Sequence, residues 1–242
     1  RPPRVPVLIA LSHFAQRYPR SVVMHRLRHL INARESDLKW RQVPTLDQLE
    51  SYAHNTQSII LYTLLSAMME SQEQQLQGTG SSSTGGSTGS GSSGTNSSTH
   101  HMDHVASHLG KAFGMIQVLR GTPLHAQLSE TYLPAELCAK FGVSESDIYS
   151  GVNTPQLENV VFEVADLAKG HLDAAREFGH SKETPVPKET FPLFQSSFVC
   201  EVYLNELEKA NFNVFDPRLD SKRLRAQISW KLLKTYFTKQ KF

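Results

Sequence analysis

Apolar residues along this chain return every three or four positions, the period of a helix with one buried face. Thr45 and Gln48 have the spacing of a helix-opening capping box, and behind them runs a stripe of Leu49, Tyr52, Ala53, Thr56, Ile60, Thr63 and Leu64. Val105, Leu109, Ala112, Ile116 and Leu119 form a second stripe. Leu157, Val160, Val161, Val164, Ala168, His171, Leu172 and Ala175 form a third. Residues 134–140 read as a short helix with Pro134 in its first turn and Gly142 just past its end. Ser144 and Asp147 open another, residues 193–210 and 222–237 are further candidates, and Pro2-Pro3 before Val7-Leu8-Ile9 reads as a helix entry. The alternation of a strand is nowhere sustained. The pattern predicts an all-α fold.

Residues 78–99 interrupt it, being almost wholly Gly, Ser and Thr. Such a tract has nothing to bury and is expected to be flexible, with its ends about 25 Å apart. The rest is ordinary: 39% hydrophobic and 20% charged residues allow one substantial core. No window approaches the apolar length of a membrane span. Cys138 and Cys200 supply neither a disulfide framework nor a zinc ribbon and read as buried thiols in a reducing compartment. The net charge of +2 conceals basic ends: residues 1–41 hold nine Lys or Arg against Glu35 and Asp37. After residue 218, seven Lys or Arg face only Asp220. Basic faces attract anionic lipid or nucleic acid, or they are simply solvated helix faces. Nothing resembling a nucleic-acid module accompanies the charge, so no nucleic-acid partner is expected.

Other side chains bring candidate chemistry. His104 and His108 share a helix face near His100, His101 and Asp103, a spacing that suits zinc. No acidic base lies between them and no third ligand is identifiable, so the competing reading is one packed and one solvated histidine. His171, on an apolar stripe, reads as a core histidine. Asp166 and Asp173, two turns apart, read as solvated charges more readily than as a carboxylate pair.

Several segments resemble one known family. The first runs from Tyr52 through Ala53, His54, Asn55, Thr56, Gln57 and Ser58 into the apolar residues up to Leu65. The second starts His104-Val105-Ala106-Ser107-His108-Leu109-Gly110-Lys111-Ala112-Phe113-Gly114, continues to Leu119-Arg120 and ends Tyr132-Leu133-Pro134. The third runs from Tyr203-Leu204 to Phe212-Asn213-Val214-Phe215. All are similar to squalene and phytoene synthases. The resemblance implies an isoprenoid-synthase-like helical bundle, a single partial domain over residues 1–242 whose amino-terminal helices lie outside this chain. Residues 78–99 are then an insertion within it. Tyr52, Asn55 and Thr56 would line what remains of the prenyl channel, where an isoprenoid lipid has room to bind.

Enzymes of this family release pyrophosphate, and magnesium neutralises its developing charge through carboxylate ligands. The family's second motif, Asp-x-x-x-Asp, lies between the Leu-Arg and Tyr-Leu-Pro elements. Here those aspartate positions hold Gly121 and His125, and Leu124 replaces an acidic neighbour. Glu130 is the one carboxylate left in the interval. A histidine suits softer metals than magnesium, and Pro123 is expected to distort the helix. Gly121, Leu124 and His125 therefore mark a degenerate diphosphate and metal site, with no catalytic residue, cofactor or bound metal expected. The wording of this interval further resembles a non-catalytic, mitochondrial branch of the family. That branch implies a protein on the matrix side of the inner membrane, peripherally associated with it. It would act on complex I subunits or an early assembly intermediate of NADH:ubiquinone oxidoreductase. The alternative is a magnesium-dependent synthase joining prenyl diphosphates head to head.

Overall fold

A computed structural model of the chain describes residues 5–21, 24–39, 42–79, 92–180 and 188–238. Helices are α1 (Pro6–Arg17), α2 (Met24–Asp37), α3 (Leu46–Ala53), α4 (Ile59–Thr79), α5 (Ser92–Gln127), α6 (Ala135–Phe141), α7 (Glu145–Tyr149), α8 (Pro155–Gly179), α9 (Ser196–Lys209) and α10 (Lys222–Thr238). A π-helical turn, His54–Ser58, joins α3 to α4, and 3-10 turns precede α9 and α10. No strand occurs among the described residues. The fold is all-α, as the periodicity predicts.

The centre is α5 packed along α8. Val105, Leu109, Ala112, Ile116 and Leu119 of α5 are fully buried, as are Leu157, Val160, Val161, Val164, Ala168 and Ala175 of α8. Burial of each Val, Leu or Ile among them is worth about 1.5–3 kcal/mol, which makes this pair the frame for everything else. The expected start signals are complete at α7 and half present at α3, where the return bond from the Gln48 side chain is absent. Thr45 accepts from the Gln48 amide, and Ser144 with Asp147 completes a reciprocal capping box. Gly142, at φ +71°, closes α6 in the left-handed conformation where a side chain would be strained.

Three expectations need correction or completion, and one helix had drawn none. Ile60 and Leu64 were placed on the buried stripe of α3–α4, yet they are exposed, while Ile59 and Leu65 are buried. The π turn at His54–Ser58 explains this, since an extra residue in one turn rotates everything downstream on the helix surface. Pro123 lies inside α5 without ending it: the helix runs on to Gln127, and the Thr122 hydroxyl donates to the Val118 carbonyl beside the proline. The Gly/Ser/Thr tract is entered from both sides by helix, α4 reaching Thr79 and α5 starting at Ser92, while residues 80–91 lie outside the described residues. Finally, α2 has no apolar stripe and no buried residue. Polar contacts hold it instead: Arg26 donates to the Tyr62 carbonyl and to the Ser66 hydroxyl at 3.0 Å.

Where α5 crosses the π turn, the backbones nearly touch. A Cβ on Gly110 would lie 2.4 Å from the Ser58 Cα, and one on Gly114 would lie 2.6 Å from the Ala53 Cβ. The Ser58 hydroxyl donates to the Ser107 carbonyl across this contact at 2.9 Å. The two glycines, one helical turn apart, are therefore what lets α3 and the π turn sit on α5.

Candidate functional site

Tyr132, in the connection after α5, gathers the sequence-marked residues. Its ring lies 4.8 Å from the His125 ring and 5.9 Å from the Tyr52 ring. Tyr52 donates its hydroxyl to Asp37 Oδ2 at 2.8 Å and accepts from Arg34, whose guanidinium also spans Asp37 at 3.3 Å. Burial, aided by the Asp37 carboxylate, pushes the Tyr52 phenol well above its ordinary range. The Tyr52 phenol is thus held neutral as a donor, locking α2 to α3.

The three positions that the resemblance marked face different surroundings. Leu124 is 61% exposed and points away from the bundle. Gly121 is half-buried, and a side chain there would meet the His125 ring at 3.1 Å. His125 Nδ1 stands 3.6 Å from Glu130 Oε2, too far for a direct hydrogen bond. Thr56 is buried and turns its hydroxyl back onto the Tyr52 carbonyl at 2.8 Å, while Asn55 is half-buried.

Beside this cluster opens a cavity of about 1000 Å³, with Arg34, Asp37, Gln42, Glu130, Tyr132 and Tyr149 in its wall. The residues lining it do not include Tyr52, Asn55 or Thr56. The lining mixes aromatic faces with charges of both signs, a surface suited to a partly polar, partly apolar ligand. Arg34 and Asp37 escaped sequence reasoning because α2 lacks periodicity, although their i, i+3 spacing is the one local sign that they pair.

The histidines form a separate cluster between α3, α5 and α8. His104 and His108 both stack on Phe178, with centroids 6.0 and 5.7 Å away. His108 Nδ1 lies 2.9 Å from His171 Nδ1, and His171 Nε2 lies 3.3 Å from Glu50 Oε1. Lys111 donates to the same Glu50 oxygen at 2.7 Å. Burial, then the nearby Lys111, holds His108 below its usual value. Burial also lowers His171, against the pull of Glu50. Burial alone would raise Glu50, but Lys111 and the histidines keep it below the ordinary carboxylate range. Among the described residues, no group of three or more His, Cys, Asp or Glu is arranged to hold a metal ion. Asp173 is engaged by Lys169 at 2.6 Å.

The α5–α8 pair, with the π turn pressed onto its glycines, sits in a helical bundle of the isoprenoid-synthase type, as the fold of a solved dehydrosqualene synthase shows. The chain belongs to the squalene/phytoene synthase family, whose model matches residues 1–228. The fold agrees with a solved dehydrosqualene synthase at a TM-score of 0.69 and 19% identity, over 99% of this chain and 73% of that one. Among curated proteins, the chain is 31% identical to "NADH dehydrogenase (ubiquinone) complex I, assembly factor 6" of Rattus norvegicus, over 94% of this chain. It is 32% identical to the homologue of that factor in Dictyostelium discoideum over 77% of this chain. The chain spans 59% of the rat protein and 44% of the Dictyostelium one.

Proposed function

We propose that this chain is a non-catalytic member of its family that serves the assembly of respiratory complex I in mitochondria, on the matrix side of the inner membrane. The observation that carries the reading is the Gly121–His125 interval of α5. An enzyme of this class needs carboxylates there to hold magnesium against a leaving pyrophosphate. Here a glycine, an exposed Leu124 and a histidine packed on Tyr132 occupy the segment. Losing such a charge clamp removes transition-state stabilisation at about 1.4 kcal/mol per tenfold in rate. The names of the rat and Dictyostelium relatives support the assembly role. In this reading the partner is an early complex I intermediate and the inherited bundle serves as a binding scaffold.

The test is complex I abundance, measured on native gels after depletion of the protein. Selective loss of complex I, with the other respiratory complexes intact, is the expected result; unchanged complex I refutes it. The alternative, head-to-head prenyl transfer, requires magnesium-dependent pyrophosphate release from farnesyl or geranylgeranyl diphosphate by the purified protein. The expected rate is no higher than background.

A further inference from the structure

Two contacts show that α8 and α9 run antiparallel. Arg176 of α8 pairs with Glu201 in the first half of α9, and Phe162 of α8 meets Phe212 just beyond its end, edge on, with ring centroids 5.0 Å apart. Between these ends lies an open groove of about 340 Å³. From Phe162 to Arg176 it is about 21 Å long at the helical rise, room for about four turns of a further helix. Its floor is apolar: Ala165 and Leu172 are buried there, Leu204 is half-buried, and Phe162 is 47% exposed. Carboxylates stand on both walls, Asp166 and Asp173 on α8, Glu201 and Glu208 on α9. Every Lys or Arg of the two helices is already engaged, Lys169 with Asp173, Lys209 with Glu206 and Arg176 with Glu201. The exposed carboxylates of Asp166 and Glu208 have no ion pair or hydrogen bond among the described residues. Asp166 lies four residues after Phe162 and Glu208 four before Phe212, which sets the two on opposite walls toward the same end of the groove. The molecule already shows what seats on such a wall: Lys231 of the basic helix α10 reaches Glu201 and lies 5.6 Å from the centre of the Phe198 ring.

We propose that the α8–α9 groove receives a basic amphipathic helix from another protein. The apolar side chains of that helix cover Phe162, Leu204 and Phe212, and one of its Lys or Arg residues lies between Asp166 and Glu208. The floor calls for an apolar stripe, the length for a few helical turns and the two unpaired carboxylates for a cation. The same carboxylates repel lipid phosphates and nucleic acid, so the complementary partner is a basic protein segment. The inference rests on the scaffold reading in that it names the scaffold's contact face. The two still fail separately, since the groove can bind a helix whether or not depletion removes complex I.

The experiment titrates the full chain into a fluorescein-labelled peptide of about 14 residues, built from Leu, Ala and Lys with Leu at three- and four-residue spacing. Anisotropy should rise to saturation at low salt, and a peptide with Glu in place of Lys should not bind. Asp166→Asn with Glu208→Gln should weaken binding by about fivefold or more, and Phe162→Ser should do likewise, with circular dichroism unchanged. Glu177, exposed on α8 outside the groove, is the control, and Glu177→Gln should leave binding unaltered. The proposal is overturned if the Lys peptide does not bind, if binding survives the double variant, or if Glu177→Gln weakens it as much. Full displacement of the peptide by spermine would assign the groove to a small cation. Sedimentation showing that the chain dimerises through Asp166 and Glu208 would assign it to a second copy. Either result also overturns it.

Discussion

Gly110 of α5 and Ser58 of the π turn lie in direct backbone contact, with space for a hydrogen atom and none for a methyl group. Helix propensity alone would make Gly→Ala stabilising by about 1 kcal/mol. At Gly110 the added Cβ meets rigid backbone, so Gly110→Ala should instead destabilise by about 1–3 kcal/mol. Gly170 of α8, with nothing within 4 Å of its virtual Cβ, is the control. Gly170→Ala should stabilise by about 0.5–1 kcal/mol. Urea unfolding of both variants reads opposite signs; the same sign would mean that α5 and the π turn do not approach as described.

The His108–His171 contact makes stability depend on pH. Both groups titrate below their unfolded value in the folded chain, so over that range the unfolded chain binds more protons. Stability is thus fully present above the unfolded histidine pKa of about 6.5 and declines as pH falls towards the folded values. Lys111 adds positive charge to the same cluster, and among the described residues Glu50 is the carboxylate that opposes it. Melting temperature followed from neutral to mildly acidic pH should fall for the parent and fall less for His108→Gln. An equally steep decline in that variant would assign the pH dependence elsewhere.

Tyr203 is the largest fully buried side chain, and its hydroxyl has no hydrogen-bond partner among the described residues. An unsatisfied buried hydroxyl costs about 1–3 kcal/mol in desolvation. Tyr203→Phe should therefore be neutral or stabilising, whereas Tyr203→Ala should cost about 3–5 kcal/mol through the cavity it leaves. Calorimetric unfolding of the two variants decides; a marked loss with phenylalanine would mean that the hydroxyl is bonded.

Both cysteines should be inert in the folded state. Burial pushes the Cys138 thiol up to about 11 and the Cys200 thiol up to about 12, so at neutral pH neither supplies the reactive thiolate. A disulfide-exchange reagent should label neither until denaturant is added, and then both. Rapid native labelling of Cys200 would contradict its burial on the inner face of α9.

The candidate site was only half legible in the chain. Gly121, Leu124 and His125 were singled out because the family resemblance sets an expected carboxylate motif against one short stretch of helix, where the residues can be read directly. Arg34 and Asp37 could not, because their importance comes from Tyr52 and Tyr132, which are distant in sequence and meet them only after α2 folds back. The histidine cluster was read from the His104–His108 spacing alone. The partner that explains it, His171, lies on another helix.

What the sequence determined by itself was most of the helices, α2 excepted, and the inward faces of α5 and α8, since side-chain period, capping residues and Gly142 act within a few positions of one another. The α5 and α8 stripes are buried where the pattern puts them. The register of α4 and the close seat of α5 on His54–Ser58 were decided only by tertiary structure. A π turn stores an extra residue that no local preference demands. It persists here where the hydrogen atoms of Gly110 and Gly114 leave the space for it, a contact between segments far apart in the chain.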